Sequence, residues 1–90
     1  MTKIEEKLIE LGYRRSHYDY NNVTFIKIYK NKYNLFVETN GYITCVIMNY
    51  VDLDGMAIYN QQDIDNLQQA FNQLQKDLEI LKEVEEDVNK

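Results

Sequence analysis

Residues 23–51 read VTFIKIYKNKYNLFVETNGYITCVIMNYV, and this stretch decides the fold. β-Branched and aromatic residues dominate it, and inward and outward positions alternate along residues 23–29 and again along 33–39. This alternation predicts two β-strands, because successive side chains of a strand point to opposite faces of a sheet. The three residues KNK between them are too few for a crossover, so the two strands form an antiparallel hairpin.

The pair Asn40-Gly41 predicts a second hairpin, since both central residues of a two-residue type I′ turn need positive φ. A third strand over residues 42–51 follows. Its continuous apolar run from Cys45 to Met48 favours a strand with both faces partly covered, and it predicts a buried Cys45 that acts as a small hydrophobic side chain. Residues 56–59 are either a short fourth strand or a lead into the next element.

A short helix precedes the strands. Thr2 and Glu5 form a capping-box pattern, which predicts a helix over residues 3–11, and Gly12 stands where a left-handed C-terminal cap is needed. The segment 13–22, YRRSHYDYNN, has no helical or alternating period and is interpreted as a loop or an irregular edge.

A long helix follows the strands. Asn60 is a favourable N-cap, and strong helix formers without Gly or Pro extend the predicted helix over residues 61–87. Apolar residues recur in it at heptad spacing. They are Ile64, Leu67, Phe71, Leu74, Leu78 and Leu81.

These elements predict one α+β domain over residues 1–90, a two-layer αβββα fold whose three-stranded antiparallel meander is covered on one face by both helices. A helix over 61–87 would span roughly 40 Å at 1.5 Å per residue, more than the width of three strands. We therefore expect its end to overhang the sheet and to mediate self-association as a homodimer, with a frayed acidic tail as the alternative. The self-association residues would be Leu78, Leu81, Val84 and Val88.

The formal net charge of −5 is unevenly distributed. Residues 1–33 carry seven Lys/Arg against four Asp/Glu, and residues 34–90 carry three against eleven. An acidic half disfavours nucleic acid and anionic membranes as partners, because Lys and Arg supply the affinity for phosphates. The single cysteine excludes an intramolecular disulfide, and the N-terminus lacks a signal-peptide pattern, so we expect a soluble cytoplasmic protein.

Catalytic motifs are absent from the sequence. His17 beside Asp19 is the only histidine, and a general-base role for it is far less favoured than a surface position. The chain shows no phosphate-binding glycine loop, nucleophile elbow or zinc spacing. We therefore expect a protein that is not an enzyme and that needs no metal or cofactor.

Two surfaces are candidates for binding. The first is an acidic face of the C-terminal half that would present a negative potential to a basic protein, with solvation alone as the plain alternative. Its residues are Asp77, Glu79, Glu83, Glu85, Glu86 and Asp87. The second is a basic and aromatic pocket for a phosphate or nucleotide, with scattered solvating charges as the plain alternative. Its residues are Arg14, Arg15, His17, Tyr18 and Tyr20, with Lys27, Lys30, Lys32, Tyr29 and Tyr33 from the first hairpin nearby.

The small size, the acidic balance, the Tyr-, Asn- and Lys-rich composition and the closing segment QQDIDNLQQAFNQLQKDLEILKEVEED resemble small accessory proteins of phages and mobile elements of low-GC Gram-positive bacteria. Such proteins often bind a host protein stoichiometrically, and some acidic ones block the DNA-binding groove of a CRISPR effector or another defence enzyme. The resemblance implies an inhibitor or modulator of a host nucleic-acid-handling or defence protein. A nucleotide-binding sponge or sensor and a structural assembly protein are the alternatives, and the basic first third of the chain departs from a pure DNA mimic.

Overall fold

The computed structural model describes residues 2–19, 22–52 and 56–88, and within these it leaves out the side chains of residues 18, 19 and 86–88. Two helices and four strands follow one another along the chain. They are α1 (Lys3–Glu10), β1 (Arg14–Asp19), β2 (Asn22–Tyr29), β3 (Tyr33–Thr39), β4 (Ile43–Tyr50) and α2 (Gln61–Val88). The strands form one antiparallel sheet in the order β1-β2-β3-β4. The predicted α+β class, the meander and both helices are confirmed.

The sheet has a fourth strand, as the sequence allowed, but at a different place. It is β1, within the segment interpreted as a loop or irregular edge, whereas residues 56–59 are not a strand. β1 pairs with β2 through a register shift between Arg15 and His17. This bulge interrupts the alternation of side chains, which explains why no period of two was visible in the sequence.

Both ends of the N-terminal helix are capped by the residues that the sequence predicts. The Thr2 hydroxyl accepts a hydrogen bond from the backbone N–H of Glu5, whose side chain in turn reaches the backbone N–H of Thr2. At the other end, Gly12 has a φ of +97°, and the backbone N–H of Tyr13 donates to the carbonyl of Leu8. This left-handed glycine directs the chain from α1 into β1.

Both hairpins occur where the sequence predicts them, but the type I′ geometry is found in the first turn and not in the second. In the first turn, Lys30 and Asn31 both have positive φ, and the N–H of Lys32 donates to the carbonyl of Tyr29, as in a type I′ turn. In the second, only Gly41 has positive φ, with Asn40 outside the left-handed region. The prediction of a two-residue type I′ turn at Asn40-Gly41 is therefore wrong: residues 40–42 form a longer connection.

Both helices cover one face of the sheet. Along β3 every second residue, from Tyr33 to Thr39, is buried, and the paired residues of β2 lie on the same face. The core unites residues from this face and from both helices. It contains Ile4, Leu8, Tyr13, Val23, Phe25, Tyr33, Leu35, Val37, Tyr50, Ala70, Leu74 and Leu81. On the opposite face, Ile26, Phe36 and Ile47 form a row across three strands.

The long helix stays on the body of the protein further than expected. Leu81 is fully buried, Val84 packs against the core, and the Glu85 carboxylate accepts a hydrogen bond from the backbone N–H of Ile43 at 2.6 Å. The prediction that the helix overhangs the sheet is therefore wrong for the residues before Glu85. The estimate compared the helix with the width of the sheet, whereas α2 leads from Lys30 at one end of the strands to Ile43 at the other and so follows their length.

Candidate functional site: the open edge of the sheet

Strand β4 is an edge of the sheet. It pairs with β3 and ends the strand order, so in the described part of the chain one side of its backbone has no neighbouring strand. Alternate N–H and C=O groups of an edge strand point away from the sheet and are able to pair with another strand. The eight residues of β4, ITCVIMNY, include neither a charged residue nor a proline, which are the usual protections of an edge.

The side chains of β4 are more exposed than its sequence suggests. Residues 44–47 are all exposed, including Cys45, Val46 and Ile47. The prediction that Cys45 is buried is wrong, whereas Val46 on one face and Ile47 on the other are each partly covered, at 37% and 44% exposed. A continuous apolar run is typical of a central strand, but its place at the end of the meander makes this strand an edge.

An apolar groove separates β4 from α2. We call it the β4–α2 groove, and it contains two cavities. The larger, about 540 Å³, is lined by Met48, Met56, Ile58, Ile64, Leu67, Gln68, Phe71 and Asn72. The smaller, about 370 Å³, is lined by Ile43, Thr44, Cys45, Val46, Leu78, Lys82 and Glu85. Both lie along the same strand, so the groove follows β4 over most of its length.

The groove exists because α2 has more apolar surface than the core uses. The side of α2 that packs into the core is formed by Ala70, Leu74, Asp77 and Leu81. The heptad position Phe71 is instead 56% exposed. Positions Ile64 and Phe71 are seven residues apart and thus share one flank of the helix, which borders the larger cavity.

The residues predicted to mediate self-association are used largely within the chain itself. Leu81 is fully buried, and Leu78 and Val84 pack against the core. The side chain of Val88 lies outside the described residues. The prediction that Leu81 contacts a second copy is therefore wrong, because this side chain is buried within its own chain.

The predicted acidic face is also divided by the structure. Glu79 and Glu83 are exposed, whereas Glu85 is half-buried and caps the N–H of Ile43. Asp77 is 2% exposed and does not belong to a surface. The side chains of Glu86 and Asp87 lie outside the described residues.

Asp77 is the centre of a buried polar network. Its carboxylate accepts hydrogen bonds from the Tyr13 hydroxyl at 2.9 Å, from Lys27 Nζ at 3.0 Å and from Gln73 Nε2 at 3.1 Å. Lys27 Nζ also donates to the carbonyl of Leu11 at the end of α1. Burial, followed by the charge of Asp77, raises the pKa of Tyr13 far above its ordinary value, so Tyr13 stays a protonated donor. The network joins α1, β1, β2 and α2.

The described residues of the predicted basic and aromatic pocket do not converge on one site. Arg14 and His17 pair with Ile26 and Thr24 and so share the helix-free face, while Arg15 pairs with Phe25 and belongs to the other face. All three are exposed. The side chain of Tyr18 and the whole of Tyr20 lie outside the described residues.

The basic residues of the first hairpin also have separate partners. Lys27 belongs to the Asp77 network, and Lys30 Nζ donates to Gln69 Oε1 at 2.6 Å. Lys32 Nζ lies 5.8 Å from the ring centroids of both Tyr33 and Tyr50. No common phosphate site results, because the three ammonium groups are held at different points.

A third cavity, about 350 Å³, lies at the end of the sheet where β4 leads toward α2. Lys32 and Asp63 both line it, and their charged atoms are 3.9 Å apart. Neighbouring Tyr33 is buried, and burial followed by the proximity of Tyr50 raises its pKa. The elevated pKa values of Tyr13 and Tyr33 thus both arise chiefly from burial, which disfavours the charged phenolate.

The described residues include no group of three or more His, Cys, Asp or Glu side chains that could hold a metal ion. Within the same ranges, no helix is long and apolar enough to cross a membrane.

The β4–α2 groove and the β4 edge were missed in the sequence. The edge has a signal in the sequence, since β4 is the last strand of a meander and has no charged residue. The groove has none, because Ile64 and Phe71 belong to the same heptad stripe as the buried Leu74. No protein-family description, curated protein or solved structure matches this chain significantly.

Proposed function

We propose that this protein is a non-enzymatic binding protein that holds an extended segment of another polypeptide along β4. The single observation that carries the proposal is the eight-residue uncharged edge strand beside an apolar groove. Exposed apolar surface of this extent is typical of interaction sites, because burying it in a partner is favourable.

Strand addition supplies both affinity and selectivity. The outward N–H and C=O groups of β4 would pair with the backbone of the incoming segment, and every second side chain of that segment would enter the groove. The two cavities, near Val46 and near Met48, are spaced along β4 and would each take one apolar side chain. The bound segment is therefore expected to alternate apolar and polar residues.

The charge of the protein favours a partner segment with basic residues at the polar positions. The chain carries a net charge of −5, while β4 itself is uncharged. Glu79 and Glu83 are exposed on α2, where they add a negative potential. A segment that alternates apolar residues with Lys or Arg would satisfy the groove and the field together.

The biological class of the partner rests on the resemblance to phage and mobile-element accessory proteins. It supports a cytoplasmic host protein that handles nucleic acid or acts in defence, bound stoichiometrically and thereby inhibited or modulated. The sequence favoured the acidic face of α2 as the main contact, and we now propose the β4 edge and groove instead. The acidic face is smaller than expected, because Asp77 is buried and Glu85 is hydrogen-bonded to Ile43.

Nuclear magnetic resonance with a defined probe tests this proposal. The probe is a short capped peptide of alternating Val and Lys, added to dilute 15N-labelled protein. We expect amide shift changes concentrated in Ile43–Tyr50 and slower hydrogen exchange there. A peptide of alternating Ser and Lys, with equal charge, is the matched control and should bind at least tenfold more weakly.

Variants locate the binding. Val46→Lys places a charge in the groove at the edge and should abolish the shift changes, whereas Ile28→Lys, an exposed apolar position on β2, should leave them intact. Equal responses to both peptides, or shifts confined to Glu79 and Glu83, would show that charge alone attracts the probe and would overturn the proposal.

A further inference from the structure

We infer that, where no partner segment is bound, β4 pairs with β4 of a second copy of this chain, so that two copies join their sheets about a two-fold axis. This inference rests on the proposed function, because the second copy would occupy the same edge and groove as the partner segment. The product is a continuous eight-stranded antiparallel sheet with both long helices on one face. The self-association expected from the sequence would then occur through the edge strand and one flank of α2.

The symmetry of a two-copy assembly suits an edge strand without charge. Two copies of one edge strand pair antiparallel about a two-fold axis, and each copy uses the same surface. Because β4 contains no charged residue, the pairing brings no like charges into direct opposition despite the net charge of −5 on each copy. A charged partner is not needed to complete this edge.

Two contacts give the direction of α2 relative to β4. Gln69 contacts Lys30 near the turn between β2 and β3, and Glu85 contacts Ile43 at the start of β4. The helix therefore runs antiparallel to β4, with the Phe71 region beside Met48 and the Leu78 region beside Val46.

The exposed side chain of Phe71 matches the smaller cavity of the other copy in position. A two-fold axis through the middle of β4 places the Phe71 end of one groove opposite the Val46 end of the other. Phe71 projects 56% exposed, and the cavity at Val46 and Leu78 measures about 370 Å³. Symmetry makes this contact twice, and thus buries the largest exposed apolar side chain of α2 in both copies.

The polar rims of the two cavities are compatible in this arrangement. Lys82 and Glu85 border the smaller cavity, and Gln68 and Asn72 border the larger. The two-fold axis brings the charged pair of one copy toward the neutral amides of the other. Amides both donate and accept hydrogen bonds, so they suit a Lys and a Glu alike.

Sedimentation equilibrium over a range of protein concentrations tests the inference. We expect a species of twice the 10.8 kDa chain mass at high concentration. Val46→Lys and Phe71→Asp should each raise the dissociation constant of the dimer at least tenfold. Phe71→Asp changes only an exposed helix position, so it tests the interface even if the strand variant folds poorly.

Two matched controls share the chemistry of these variants but lie elsewhere. Ile28→Lys repeats the charge on a strand away from the edge, and Ile80→Asp repeats it on the flank of α2 about 180° from Phe71, nine residues on at roughly 100° per residue. Both should leave the dissociation constant within twofold of the parent value. Circular dichroism on all four variants checks that each is folded.

The outcomes separate this inference from the proposed function. A dimer sensitive to both groove variants and insensitive to both controls supports it, as does slower hydrogen exchange of β4 at high concentration. A chain that stays monomeric yet binds the Val-Lys peptide at β4 overturns the inference and leaves the proposed function standing. A dimer that responds equally to groove and control variants also overturns the inference, and a monomer without peptide binding overturns both.

Discussion

The two edge strands of the sheet differ in charge and in the position of their register irregularity. β1 has the sequence RRSHYD, with exposed Arg14, Arg15 and His17 and a bulge between Arg15 and His17. β4 has eight uncharged residues, and its one irregularity lies near its start. Charges and bulges prevent an edge from pairing with another strand. One edge of this protein is therefore closed to strand pairing, and the other is open to it.

The edges also differ in how they are attached to the helices. Beside β1, Tyr13 is tied to α2 through the buried carboxylate of Asp77. Beside β4, the attachments are the half-buried Glu85 on the N–H of Ile43 and the Tyr50 hydroxyl on the carbonyl of Ala57. The buried ion pair is thus on the β1 side of α2, whereas the contacts beside β4 are partly exposed hydrogen bonds.

Removing the buried anchor should have the largest effect. Asp77→Ala leaves the ammonium group of Lys27, whose side chain is 19% exposed, without its carboxylate partner. Loss of one partner of a buried ion pair costs about 3–5 kcal/mol, and urea unfolding measures it. Glu79→Ala, two residues on and exposed, is the control and should change the free energy of unfolding by less than about 0.5 kcal/mol. Equal losses in both variants would contradict the assignment of Asp77 as the anchor.

Alkaline pH should weaken the same side of the molecule. The pKa of Tyr13 is raised in the folded protein, so the unfolded chain loses this proton near pH 10, its ordinary value, while the folded chain keeps it. Stability is then present below about pH 10 and falls as pH rises, by about 1.4 kcal/mol per pH unit for each such group. Urea unfolding of the parent and of Tyr13→Phe at pH 8 and above pH 10 measures this. An unchanged pH slope in Tyr13→Phe would contradict it.

Opening the closed edge should alter assembly. Arg14→Val with His17→Val replaces two basic residues on the helix-free face of β1 by apolar ones, while Arg15, Asp19 and the bulge remain. With two edges able to pair, copies would join into chains rather than stop at a closed dimer. Sedimentation velocity should show species larger than a dimer, at a few-fold lower concentrations than in the parent. A distribution identical to that of the parent would contradict a role of Arg14 and His17 in closing β1.

Releasing the cap on β4 should have the smallest effect. Glu85→Ala removes the carboxylate that accepts from the N–H of Ile43, a loss of about 1 kcal/mol for a partly exposed hydrogen bond. Hydrogen exchange of the Ile43 amide should quicken by roughly fivefold, with little change at residues in β2. Glu83→Ala, exposed on the same helix, is the control. Faster exchange across the whole sheet would mean that Glu85 stabilises the fold and not this one end.

Local chemistry made most of the fold predictable. The capping box at Thr2, the left-handed Gly12 and the alternating strands 23–29 and 33–39 depend on neighbours within a few residues. The edge strand β1 was not evident, because its bulge and charges hide the period of two. The first hairpin was predicted at residues 30–32, but its type I′ geometry was not, because Lys30 adopts a positive φ that its residue type does not favour.

The candidate site was the least predictable part of the molecule. A heptad pattern places Leu74, Phe71 and Leu81 on one stripe, yet only the packing of α2 on the sheet decides which of them is buried. Asp77 looked like a surface acid, and Cys45 looked like a core residue. Both interpretations failed because burial depends on residues far away in the chain, among them Tyr13 and Lys27 for Asp77.

The sequence alone determined the α+β class, the antiparallel meander and the two helices, because propensity, caps and periodicity act over short distances. Only the tertiary structure decided which strand forms the open edge, which flank of α2 stays exposed, and which charges are surface charges. Those features depend on the rotation of one helix over four strands. That rotation is selected by the summed packing of the whole core, with Asp77 meeting Tyr13 and Lys27 inside it.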